Sequence, residues 1–140
     1  MILKLGLSRI FWIALAGIYC FSGVAAYAIL THPENTFHAD NAEHVIAAVK
    51  LTYVRFALIF IVMVSYPIVL LSSLKYAKVF TIAITAWAIA MYIDDNLVLY
   101  RIIEYPERGI VVALQTIRPI LLVCLLWLSF ELTFTNARVR

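Results

Sequence analysis

The longest stretches of this chain carry no charge at all. None occurs between Ile10 and Leu30, between Phe56 and Leu74, or between Val79 and Ile93, and a fourth apolar block runs from Gly109 to Phe134. A helix needs roughly 20 apolar residues to cross the hydrocarbon of a bilayer. The blocks are therefore expected to be four transmembrane helices, at about 10–30, 55–74, 79–100 and 109–134. With 140 residues in all, little is left for a separate soluble domain. Only 14% of the residues are charged, against about 25% in an average soluble domain. The expected fold is all-α: a four-helix integral membrane bundle forming one transmembrane domain over residues 1–140.

The first block follows Lys4 and Arg9, and Ala26-Tyr27-Ala28 resembles a small-residue cleavage site. Its uncharged run outlasts the roughly 7–15 apolar residues of a signal core, so a retained span is expected. After Thr31-His32-Pro33-Glu34-Asn35, which has turn chemistry, Asp40 or Asn41 is placed to cap a helix, with Glu43 in its first turn. Ala42, Val45, Ile46, Val49, Tyr53 and Phe56 recur at helical spacing. This pattern predicts a short helical extension outside the membrane that runs directly into the second span. Within that span Pro67 cannot donate to the carbonyl of Met63, so a kink is expected near Tyr66. Lys75-Tyr76-Ala77-Lys78 is expected to form the turn into the third span.

Orientation is read from basic residues near the span ends. Lys4, Arg9, Lys75, Lys78, Arg138 and Arg140 fall on one side, Lys50, Arg55, Arg101 and Arg108 on the other. The short basic turn at Lys75–Lys78 decides for cytoplasmic termini, in a bacterial inner or equivalent membrane. Aromatic residues gather near both boundaries: Trp12, Tyr76, Phe80, Trp127, Phe130 and Phe134 at one, Tyr27, Tyr53, Phe56, Tyr100 and Tyr105 at the other.

Charge inside a span is costly and needs a partner or water. Asp94 and Arg118 stand equally far along the chain from Pro106, the expected centre of a hairpin between the last two spans. At 1.5 Å per residue they reach the same depth, up to roughly 18 Å from the turn, or about 10–12 Å if the turn is irregular. Arg118 is thus expected to face Asp94 or Asp95, its planar fork suiting a carboxylate. Two acids against one base leave a carboxylate that needs water, a proton or a second cation, and Arg55 is the internal candidate. Such a cluster reads either as a structural latch or as a functional site. Glu131, one turn from the end of the fourth span, is expected to snorkel or to pair with Lys78 or Arg9.

Small residues at three- and four-residue spacing, including Gly17 and Gly23 on the first span and Ala83, Ala86 and Ala90 on the third, suit close helix contact. Trp87, with Met91, is a candidate for packing or for contact with a lipid or pigment. No cofactor is expected. No histidine lies in a span, which argues against haem held by two internal imidazoles. His32, His38 and His44 share one polar connection, where a metal site is not expected. Cys20 and Cys124 read as packing residues, not as a disulfide. Nucleotide, redox-cysteine and serine-nucleophile motifs are absent, as is a basic face for nucleic acid. The expected function is a small non-catalytic subunit packed against other membrane proteins. The alternative is a small oligomeric transporter or channel using Asp94, Asp95 and Arg118.

Overall fold

The computed structural model describes residues 6–31, 39–104 and 109–138, with side chains as far as Phe134 in the last segment. Four helices occur in order: α1 (Arg9–Thr31), α2 (Ala42–Ser72), α3 (Leu74–Ile102) and α4 (Ile110–Arg138). No strand occurs among the described residues. All four are long and apolar enough to cross a membrane, as a multi-pass membrane protein requires.

The helix ends reflect local chemistry. Ser8 Oγ accepts from the Phe11 N–H at 3.2 Å, capping α1. Asn41 is extended and accepts from the Glu43 N–H at 2.9 Å, so it, and not Asp40, caps α2. With 31 residues α2 is about 46 Å long, well beyond the roughly 30 Å of hydrocarbon. Its first turns form the expected extension. Gly109 precedes α4 with φ +85°, a conformation that L side chains rarely adopt.

The turn between the second and third helices departs from expectation. The reversal takes one residue, Ser73, which is extended at φ −161° and ψ 121°. Its N–H donates to Val69 O at 3.0 Å and its carbonyl accepts from Ala77 at 2.9 Å. Lys75–Lys78 therefore form the first turn of α3, and the helix starts at Leu74 instead of near Val79. Leu, Lys and Ala all favour helix, and no Gly or Pro interrupts them.

Every neighbouring pair of helices is antiparallel. α4 packs most extensively, lying between α1 and α3; α2 packs on α3 and only lightly on α1. One end of the bundle, the Ser73 end, is filled by Phe11, Ala14, Tyr66, Leu70, Ala77, Leu128 and Leu132. Beyond it lies a layer of hydroxyls. Tyr66 Oη meets Thr81 Oγ1 at 2.9 Å, and Thr85 Oγ1 meets Ser129 Oγ at 2.9 Å. Thr81 Oγ1 also donates to Ala77 O at 2.7 Å, so its single proton is in use and Tyr66 is the donor to it. Pro67 leaves α2 continuous. The Met63 carbonyl it deprives accepts instead from the Tyr19 phenol of α1 at 2.6 Å.

Candidate functional site

Between the hydroxyl layer and the Gly109 end the four helices line a cavity of about 210 Å³, with Ala25, Ala28 and Leu114 packed together on its Gly109 side, as are Ala48 and Ile103. Arg55, Asp95 and Arg118 stand at its wall. α3 is regular as far as Asp94, then widens into a π-turn over Asp95–Leu99 in which the Tyr100 N–H reaches back to the Asp95 carbonyl. Such turns carry one more residue than an α-turn and recur at functional positions. Asp95, the first residue of this turn, is buried between two guanidinium groups. Arg55 Nη1 of α2 donates to its Oδ1 and Arg118 Nη1 of α4 to its Oδ2. Arg55 Nη2 also reaches Asp94 Oδ2 at 2.9 Å.

The four side chains are not equivalent. Asp95 is 5% exposed, Arg118 16%, Arg55 17% and Asp94 50%. Arg118 therefore faces Asp95 and leaves Asp94 to Arg55. Two acids and two bases balance, so no carboxylate is left over. Three helices are tied by one carboxylate, a link that resists sliding of α2, α3 or α4 along the bundle. The Arg118 guanidinium also lies over the Tyr92 ring, 5.5 Å from its centre. Pro119, directly after Arg118, has no N–H to give the Gln115 carbonyl one turn earlier. Pro106, the expected centre of the hairpin, lies outside the described residues.

Other expectations meet different neighbours. Glu131 pairs with neither Lys78 nor Arg9 among the described residues. It accepts from the Ser8 N–H, from Ser8 Oγ at 2.8 Å and from Trp127 Nε1 at 3.0 Å. This places a negative group at the start of α1, where the helix dipole favours it. Trp87 and Met91 line the cavity, and so do Phe56 and Tyr100, two aromatics expected at the boundary. Tyr27, Tyr53, Tyr76 and Trp127 are exposed on the outside of the bundle.

Gly17 and Gly23 face outward on α1, with nothing within 4 Å of a Cβ built on either. Ala83, Ala86 and Ala90 likewise lie exposed on α3, opposite the cavity. The close contacts inside the bundle use Ala14, Ala25, Ala28 and Ala77. Cys20 and Cys124 are free thiols. His44 is exposed in the first turn of α2; His32 and His38 lie outside the described residues.

The hydroxyls of Tyr19, Tyr66, Thr81, Thr85 and Ser129 escaped sequence reading, as did Thr52 and Gln115 at the cavity wall. A signal existed for two of them. Thr81 and Thr85 stand four apart, below Ala77, on one face of an otherwise apolar helix. Comparison with known proteins returns no match, whether to a family model, a curated protein or a solved structure.

Proposed function

We propose that this protein is a small non-catalytic integral membrane subunit, seated among the helices of a larger membrane complex with both termini cytoplasmic. The outward direction of Gly17, Gly23, Ala83, Ala86 and Ala90 carries the reading, because small residues allow close backbone approach and these make none within the chain. The charged site supports a structural role. Both oxygens of Asp95 accept from guanidinium groups, which ties α2, α3 and α4 together. The hydroxyls at mid-bundle donate to helix carbonyls or to one another instead of standing beside a general base. Gentle solubilisation and native mass measurement together test the proposal. Co-purifying membrane chains in fixed ratio are expected; a lone monomer would sink it.

One observation favours a second reading, a small oligomeric transporter. Arg55, Asp95 and Arg118 border a cavity between all four helices. Asp94→Asn and Asp95→Asn would then abolish an ion- or pH-dependent flux in liposomes, and flux unchanged in both variants rules these residues out of the path. Ser65, a candidate polar group for such a path, donates to its own helix at Ile61 O, 2.8 Å away.

A further inference from the structure

The walls of the central cavity are unevenly dressed. Arg55, Asp95, Gln115 and Arg118 form a polar belt part-way along them; toward the hydroxyl layer lie Met63, Ile84, Leu122 and Leu125, and toward Gly109 lie Ile103, Val111 and Leu114. Charge is uneven as well. Arg55, Asp95 and Arg118 line the cavity but Asp94, half-exposed, does not. The network as a whole is neutral, yet the part that faces the cavity holds two guanidinium groups and one carboxylate. Asp94, 2.9 Å from Arg55 Nη2, still offsets that charge from outside the cavity, so an anion would be held by the open donors of Arg118 and not by a net surplus. Arg118 uses Nη1 on Asp95, and its Nε and Nη2 have no protein acceptor among the described residues. Those donors form the planar fork that matches a carboxylate.

We propose that this cavity binds a small amphiphilic carboxylate, with its head on Arg118 and its hydrocarbon against the apolar floor. An apolar cavity of about 150 Å³ holds benzene, so the space here takes about eight carbons. A longer tail leaves the bundle between α1 and α2, the loosest of the neighbouring contacts. Head chemistry sets the order of affinity. A carboxylate accepts from both donors as a charged acceptor, an alcohol accepts from one donor only, and an ammonium group offers no acceptor to either. The site is independent of the subunit reading, since it lies wholly within one chain.

The test uses the full chain in neutral maltoside micelles and octanoate labelled with carbon-13 at the carboxyl group. A saturable shift of that resonance, beyond the shift given by empty micelles, is expected. Octanol should displace octanoate only at ten-fold or greater excess, and octylammonium should not displace it. Arg118→Gln should weaken octanoate at least ten-fold. Ala88→Leu fills the cavity from α3 and leaves every charge in place, so it should weaken octanoate similarly. The proposal is overturned by the absence of saturable binding, or by octanol or octylammonium competing as well as octanoate. It is equally overturned by unchanged affinity in Ala88→Leu, a variant that keeps the test valid if Arg118→Gln fails to fold.

Discussion

At the Ser73 end of the bundle, Phe11, Leu70, Leu128 and Leu132 close the space between the helices with hydrocarbon, and hydroxyl pairs add short directional links. In the Gly109 half the helices line a cavity beside two small packed clusters, Ala25, Ala28 and Leu114 and Ala48 with Ile103, and a buried carboxylate shared by two arginines ties three of the helices together. Lipid tails are as apolar as leucine, so burial gives little net drive for helices to associate in a membrane. Close packing does this at the first end. At the second, packing is incomplete and ionic contacts set the register, although desolvation takes back much of what they contribute. The first end is thus held by packing, and the second by smaller packed clusters together with the ionic link.

The sharpest way to break this contrast is to remove the shared carboxylate. Asp95→Ala leaves Arg55 and Arg118 facing each other at a mostly buried position, and should lower stability by about 3–5 kcal/mol in reversible unfolding from mixed micelles. A loss below about 1 kcal/mol would mean that water, not Asp95, satisfies the arginines. Packing comes next. Leu128→Ala at the filled end should cost about 2–4 kcal/mol, whereas Leu122→Ala at the cavity wall should cost about 1 kcal/mol or less, because its neighbours already border empty space. Equal costs at both positions would remove the distinction between the ends. Replacing the buried ionic group outright, with Arg55→Met, Asp95→Leu and Arg118→Met together, should be neutral or stabilising by about 1–4 kcal/mol. A thermal-denaturation series that finds the triple variant less stable than Asp95→Ala would show that the charges contribute more than register.

The smallest effects belong to the hydroxyls and to the exposed acid. Tyr19→Phe removes one interhelical hydrogen bond and Thr85→Val the contacts to Ser129 and Leu125, and each should cost about 0.6 kcal/mol by the same unfolding measurement. Asp94→Asn should change stability by less than about 1 kcal/mol, as a half-exposed partner of Arg55. A larger loss would make Asp94 an equal member of the network.

The spans, their number and a cap at Asp40 or Asn41 were legible because each depends on residues close together in sequence; the choice of Asn41 was not. So was the need for Arg118 to meet an acid, since helix rise alone sets both at one depth. The turn at Ser73 was misplaced by the basic pair Lys75 and Lys78, which mark a span end without breaking a helix. The choice of Asp95 over Asp94 was not legible. Neighbours along a helix point about 100° apart, and the π-turn that begins at Asp95 shifts the register of the last turns of α3.

From the sequence alone came a chain of four apolar helices whose embedded charges must compensate one another; backbone hydrogen bonding in lipid permits little else. Tertiary structure decided which faces point inward. A soluble helix announces its buried face by an apolar stripe, but in these spans the inner and outer faces are both apolar, and the pattern does not distinguish them. Only the packed arrangement turns Trp87 into the cavity and Gly17, Gly23, Ala83, Ala86 and Ala90 away from it, and brings Arg55 from α2 to complete a balance that the hairpin of α3 and α4 could not reach by itself.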